Sequence, residues 1–68
     1  MTKSEFYIET IKICERNLSK PNVRYPNGRM SHDVERKHLA EMVHEFEDYK
    51  LERGLFDANF RLVGFDEA

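Results

Sequence analysis

A segment rich in turn-forming residues, at positions 20–30, constrains the fold of this chain more than any other feature. It contains both prolines of the sequence, Pro21 and Pro26, and one of its three glycines. Pro26 and the glycine lie in the run Tyr25-Pro26-Asn27-Gly28. Proline lacks a backbone donor and the residue before it avoids helical geometry, while Asn-Gly accepts the positive φ of a tight turn. We therefore expect this segment to separate two elements of regular structure.

The N-terminal part predicts an amphipathic helix over about residues 2–19. Thr2 and Glu5 have the spacing of a capping box, in which each side chain accepts a hydrogen bond from the other residue's amide. Four apolar residues recur at helical spacing and form one stripe along this helix: Tyr7, Ile11, Cys14 and Leu18. Pro21 ends the helix, because the residue before a proline avoids the helical region.

Residues 31–53 predict a second, longer helix, with Ser31 as its N-cap. Its apolar stripe comprises Leu39, Met42, Val43, Phe46 and Tyr49. Gly54 is expected to end this helix in a left-handed cap, with Leu55 making the hydrophobic contact of a Schellman motif. The tail, residues 55–68, follows. We expect the two stripes to pack as an antiparallel helix pair, which gives a mainly α fold (small α or α+β).

The β content of the chain is left open by the sequence. Residues 20–30 are either a short β-hairpin around the turn or an irregular loop between the helices. Residues 60–65 have the aromatic and β-branched composition of a strand. A strand needs a neighbour for its backbone, and the candidates are residues 23–25 and another chain. We expect Phe60 and Leu62 to cover the open edge of the helix pair.

The chain of 68 residues is expected to form one domain, residues 1–68, with a core that supplies only ~3–5 kcal/mol of net stability. Four apolar residues do not belong to the main stripes: Phe6, Ile8, Ile13 and Phe65. We therefore expect a homodimer that buries these residues or joins the tail strands edge to edge.

The sequence predicts a cytoplasmic protein without a membrane partner. No apolar run approaches the ~18–20 residues that span a bilayer, and the N-terminus lacks the pattern of a signal peptide. The single cysteine, Cys14, cannot form an internal disulfide, which fits a reducing compartment. Because Cys14 lies on the apolar stripe of the first helix, we expect a buried, inert thiol.

Motifs for catalysis or metal binding are not recognisable. The histidines His32, His38 and His44 are six residues apart, and at ~100° per residue they face three directions of one helix. Glu41 and His44 have the Glu-x-x-His spacing of di-iron bundles, but in one copy and on the polar face. Nucleophile elbows and glycine-rich phosphate loops are absent from the sequence. We expect no enzymatic activity, no cofactor and no metal.

Charge is distributed unevenly, although the net charge is only −2. A basic surface is predicted from Lys20, Arg24, Tyr25, Arg29, Arg36 and Lys37. Arginine and tyrosine often anchor interfaces, because each combines a large contact area with a specific hydrogen bond. We predict that this basic surface is the binding site. A second candidate is an acidic surface, Glu41, Glu45 and Asp48, which suits a basic partner.

Short length, dense charge and the lack of catalytic motifs are typical of small regulatory or phage-type accessory proteins. We expect a protein-interaction module that modulates or inhibits a larger partner protein. The alternative is a nucleic-acid-binding accessory protein that uses the basic surface. Phosphate contacts would give this alternative a steep dependence of affinity on salt concentration.

Overall fold

The computed structural model describes residues 1–67, which form two helices and a small β-hairpin. In chain order the elements are α1 (Lys3–Leu18), α2 (Ser31–Arg53), β1 (Gly54–Phe56) and β2 (Leu62–Phe65). Tyr7 in α1 contacts Tyr49 near the end of α2, whereas Cys14 further along α1 meets His38 nearer the start of α2. The helices therefore run antiparallel, and the prediction of a mainly α fold built on a helix pair is confirmed.

The two helices begin with different caps. The Thr2 hydroxyl accepts a hydrogen bond from the Glu5 amide at 3.2 Å, as predicted. At α2 the prediction is wrong, because Ser31 is already helical and is buried. The side-chain oxygen of Asn22 accepts instead, from the Ser31 hydroxyl at 3.1 Å and from the His32 amide at 3.0 Å. The connecting segment therefore caps the helix that follows it.

Gly54 follows α2 without the predicted left-handed cap. Its φ and ψ are −73° and 137°, so the chain passes directly from the helix into β1. A β-carbon at this position would lie 2.9 Å from the Phe56 ring and would overlap the Lys50 carbonyl. Close packing, rather than a positive φ, therefore requires glycine here. Leu55 accordingly belongs to β1 and not to a Schellman motif.

The predicted C-terminal strand exists as β2, but its neighbour is β1 rather than residues 23–25 or another chain. The strands are antiparallel, with Gly54 opposite Phe65, Leu55 opposite Gly64 and Phe56 opposite Leu62. The register shifts between the last two pairs and leaves Val63 as an extra residue. This pairing is local because α2 leads directly into β1, which a short turn then connects to β2.

Within residues 20–30 the hairpin alternative is correct, but the hairpin is limited to a single bridge. Arg24 and Met30 form an isolated antiparallel bridge. The Tyr25 amide donates to the Arg29 carbonyl at 2.8 Å, and the Gly28 amide donates to the Tyr25 carbonyl at 2.9 Å. Gly28 has a φ of 85°, the positive value that favours glycine. We call residues 25–29 the first turn.

An aromatic cluster joins the helices to the hairpin. Tyr7 stacks on Phe46 with ring centres 5.6 Å apart, and Tyr49 stacks on Phe65 at 5.5 Å. Phe65, expected at a dimer interface, therefore packs within its own chain. The predicted cover by Phe60 is wrong, because this residue lies in the turn beyond both strands and is 89% exposed. Leu62 was predicted to share that role and is also exposed.

Glu67 fastens the segment after β2 to both helices. Its carboxylate accepts hydrogen bonds from the Ser4 amide and the Tyr49 hydroxyl, both at 2.8 Å. Hydrogen bonds from Ser4, and then from Tyr49, lower the pKa of the Glu67 carboxyl. Burial, and then the hydrogen bond to Glu67, raise the pKa of Tyr49 to about 12. The hairpin is thus held in place by one charged contact as well as by ring packing.

Candidate interaction surface

The structure divides the predicted basic surface between two shallow depressions. Arg29 and Lys37 line one of about 340 Å³ near the start of α2. Lys20 and Tyr25 line another of about 240 Å³, together with the acidic Glu35. The side chains that were expected to act together are therefore brought together only in pairs.

Two further members of the basic surface line neither depression. Arg36 lies 3.8 Å from the Asp33 carboxylate in an exposed pair, which contributes at most ~1 kcal/mol. Arg24 is exposed and belongs to the short bridge with Met30. These positions add positive charge near the first turn without completing a single concave site.

The acidic surface is also only partly assembled. Glu45 and Asp48 line a depression of about 200 Å³ that they share with Lys3 of α1. Asp48 also faces His44 at 3.6 Å. Glu41 is exposed one turn before Glu45 and does not line this depression. The charge around it is therefore mixed rather than uniformly acidic.

Phe60 is the residue that sequence reasoning assigned wrongly and that the structure sets apart. Its φ is 59°, and among residues 1–67 it is the one non-glycine residue with a positive φ. This conformation costs an L-residue about 1–2 kcal/mol, and it is unusual for a bulky side chain. The residue is 89% exposed, so packing within the chain does not offset that cost.

Hydrogen bonds hold Phe60 in this conformation. We call residues 57–61 the second turn. The Asp57 amide donates to the Arg61 carbonyl and the Phe60 amide donates to the Asp57 carbonyl, both at 3.0 Å. The Asp57 carboxylate also accepts from the Asn59 amide at 2.8 Å and the Arg61 amide at 2.9 Å. The acidic side chain therefore fixes the turn that displays the ring.

Exposed apolar side chains surround this turn on both strands. We define the apolar hairpin surface as Leu55, Phe56, Phe60, Leu62 and Val63. Five exposed apolar side chains on one short hairpin exceed the scattered single residues that are normal on soluble proteins, and such concentrations mark interaction sites. Within residues 1–67, neither helix combines the length and the apolar character that crossing a membrane requires.

The chain is more extended than a self-contained domain of its size. Its radius of gyration is 15.2 Å, whereas a compact chain of this length has about 11 Å. Its accessible surface is 5358 Å², whereas a folded monomer of 8.2 kDa exposes roughly 4,500 Å². The excess of roughly 800 Å² is about what one partner contributes to a standard protein interface.

Cys14, Glu35 and His38 form a cluster between the helices, next to the depression that Glu35 also lines. Their ligand atoms all lie within 4.8 Å of one another, and Cys14 Sγ is 3.5 Å from His38 Nδ1. Burial, and then the negative charge of Glu35, raise the pKa of the Cys14 thiol. The spacing of Glu35 and His38 is visible in the sequence, but their approach to Cys14 depends on the register of the two helices.

Comparison of the chain with protein-family models, curated protein sequences and solved structures returned no match. The functional interpretation therefore depends on the geometry of these surfaces alone.

Proposed function

We propose that this chain is a small, non-enzymatic protein-interaction module that binds a larger partner protein and modulates or inhibits it. The observation that carries the proposal is the apolar hairpin surface, with Phe60 89% exposed at its tip. The proposal extends to the phage-type accessory and regulatory class of proteins. It also places the chain in a reducing cytoplasm, where the thiol of Cys14 stays free.

Phe60 is suited to anchor such a complex. Buried aromatic side chains dominate interface energetics, because each removes a large apolar area from water. Four hydrogen bonds within the second turn hold the Phe60 backbone, and Asp57 takes part in all four. A side chain that is already positioned loses less conformational entropy when it binds. The strain at Phe60 is therefore accounted for by a pocket on the partner that receives the ring.

The basic surface serves as a second contact in this proposal. It lies at the start of α2, whereas the apolar hairpin surface lies beyond its end, so the 23 residues of the helix separate them by about 35 Å. A partner that spans both would need an apolar pocket and, at that distance, an acidic region facing Arg29 and Lys37. The nucleic-acid alternative has less support, because the basic side chains are divided between two depressions.

A homodimer is the second part of the proposal. Phe6 and Ile13 are seven residues apart on α1, share one helix face and are exposed. Ile8 lies on the other flank of the buried stripe, so it does not extend this patch. We expect two copies to pair through the Phe6–Ile13 face, which leaves both hairpins accessible. Sedimentation equilibrium at high micromolar concentration should give twice the 8.2 kDa of the monomer.

The test of partner binding compares two exposed apolar side chains. Immobilised wild-type chain, Phe60→Gly and Leu51→Ala are incubated with nuclease-treated host lysate, and retained proteins are quantified by mass spectrometry. Leu51 is the matched control, since it is 80% exposed on α2 and lies outside the hairpin. We expect a larger protein that wild type and Leu51→Ala retain equally and that Phe60→Gly retains at least tenfold less.

Two results would overturn the proposal. Equal retention by all three chains would show that the apolar hairpin surface does not bind the partner. In a parallel pull-down from untreated lysate, retention that nuclease treatment abolishes and that falls steeply as salt rises would establish the nucleic-acid alternative.

A further inference from the structure

Three side chains of different chemistry converge between α1 and α2, beside the depression that Glu35 shares with Lys20 and Tyr25. Cys14 comes from α1 and is 1% exposed. Glu35 and His38 come from α2, three residues apart on one face, with Glu35 half-buried and His38 exposed. Their sulfur, oxygen and nitrogen atoms lie within 4.8 Å of one another. The cluster thus extends from the buried helix interface to solvent.

The donor set, and the separation of its sulfur and nitrogen atoms, match a first-row divalent metal. Thiolate, imidazole and carboxylate are the ligands that zinc takes in proteins, at ~2.0–2.3 Å. Two such ligands on a tetrahedral ion are about 3.5 Å apart by the geometry of those bond lengths. Cys14 Sγ and His38 Nδ1 are separated by 3.5 Å, so the pair can accept an ion after the hydrogen bond between them is given up. The Glu35 carboxylate is close enough to complete a three-ligand set.

We propose that Cys14, Glu35 and His38 bind a zinc ion that joins α1 to α2, with the fourth position taken by water beside the exposed His38. On binding, the sulfur exchanges its proton for the metal, and the proton leaves to solvent. The ion needs no oxidant or reductant, since zinc does not change its oxidation state.

The distribution of the core provides an independent reason for such a site. Among residues 1–67 the buried hydrophobic residues are Tyr7, Cys14 and Tyr49. Tyr7 and Tyr49 belong to the aromatic cluster at the hairpin end, so Cys14 is the buried hydrophobic residue nearer the first turn. Domains this small often depend on a metal or disulfide, because their core alone supplies little stability. A zinc ion at Cys14 would link the helices where aromatic packing does not.

The chain contains its own matched control. Glu41 and His44 repeat the Glu-x-x-His spacing on the same helix, and both are exposed. His44 faces Asp48 at 3.6 Å rather than a thiol. A nonspecific interaction of metal with surface carboxylate and imidazole groups would involve this pair as much as Glu35 and His38.

The experiment is a titration of the reduced full chain with Co²⁺, followed by competition with Zn²⁺. Tetrahedral cobalt bound by a thiolate shows intense d–d bands and a sulfur-to-metal charge-transfer band in the near ultraviolet. The variants are Cys14→Ser, Glu35→Gln, His38→Ala and the control Glu41→Gln/His44→Ala, each checked by circular dichroism. His38→Ala keeps the test decisive if Cys14→Ser does not fold, because the His38 side chain is exposed.

We expect one equivalent of cobalt, a charge-transfer band that zinc abolishes, and a melting temperature raised by roughly 10 °C or more when free zinc is a hundredfold above its Kd. Cys14→Ser should lose the charge-transfer band, and Glu35→Gln and His38→Ala should each weaken binding at least tenfold. The control should bind like wild type. Absence of the charge-transfer band in wild type, or equal weakening in the control and in His38→Ala, would overturn the proposal.

Discussion

The two turns of this chain have the same backbone hydrogen bonds but different residue types at the left-handed position. In each turn the amide of the fourth residue donates to the carbonyl of the first, and the amide of the first donates to the carbonyl of the fifth. These distances are 2.9 and 2.8 Å in the first turn, and both are 3.0 Å in the second. Gly28 occupies the left-handed position of the first turn, and Phe60 occupies that of the second. Glycine adopts this conformation without strain, whereas phenylalanine does not.

That difference separates a turn that only reverses the chain from a turn that also presents a side chain. Nothing lies within 4 Å of a β-carbon placed on Gly28, so steric crowding is not the reason for glycine there. At Phe60 the strain is retained although the ring gains little contact within the chain. Strained residues persist where the surrounding structure fixes them, and they concentrate at functional sites. The comparison therefore favours the second turn as the contact point for the proposed partner.

The largest difference in stability should come from the side chains that support each turn. Asp57→Ala removes two hydrogen bonds to backbone amides and should lower the free energy of unfolding by about 2 kcal/mol. Asn27→Ala removes one, to the Arg29 amide, and should lower it by about 1 kcal/mol. Urea unfolding followed by circular dichroism measures both. Equal losses would mean that the second turn is held no more firmly than the first.

The next effect concerns the glycine. Gly28→Ala places a β-carbon at a φ of 85° and should lower the free energy of unfolding by about 1 kcal/mol. Thermal melting, with Gly64→Ala as a control at a glycine whose φ is not positive, tests this. An unchanged melting temperature for Gly28→Ala would mean that the first turn adjusts its backbone without cost. The strain at Phe60 would then not distinguish the two turns.

A smaller and opposite effect is expected at the second turn. Phe60→Gly relieves about 1–2 kcal/mol of left-handed strain. It also costs about 0.5–1 kcal/mol of stability, because glycine gives the unfolded chain more backbone entropy. We expect a net gain of about 0.5 kcal/mol in the free energy of unfolding, measured from the urea midpoint. A clear loss of stability would show that the Phe60 ring packs within the chain.

The smallest effect should appear in acid, because Glu67 is exposed. The folded-state pKa of its carboxyl lies below the ordinary value of 4.5. Its contribution to stability is therefore present above pH 4.5 and is lost as the pH falls through the folded-state pKa. Glu67→Gln should flatten the decline of melting temperature below pH 4.5 relative to wild type. An unchanged acid profile would show that the bonds to Ser4 and Tyr49 do not fasten the hairpin.

The helices were predictable because each carries its own signals. Apolar residues at helical spacing and the Thr2 cap depend only on nearby positions. Both agree with the structure, which shows the half of the capping box that the Thr2 hydroxyl accepts from the Glu5 amide. The tight turn at Gly28 was indicated by Pro-Asn-Gly for the same reason. These features follow from local backbone preferences, which a single sequence displays directly.

The errors occurred where a residue's role depends on where other side chains lie in the folded chain, whether these are near or far in sequence. Gly54 was assigned a left-handed cap, but the Phe56 ring and the Lys50 carbonyl determine its need for glycine. Phe60 was expected to cover the open edge of the helix pair, and its positive φ could not be read from residue type. The Cys14–Glu35–His38 cluster required the register between helices, which stripes of apolar residues do not specify.

The most direct measurement is site-specific photocrosslinking at position 60. The chain carries p-benzoyl-phenylalanine in place of Phe60, or in place of Leu51 as the control, and is irradiated in the host cell extract. We predict that position 60 forms one prominent adduct with a larger protein, that excess wild-type chain suppresses it, and that position 51 forms none. A self-adduct, an adduct with nucleic acid, or equal labelling from both positions would contradict the account of Phe60 as the anchor for a larger protein partner.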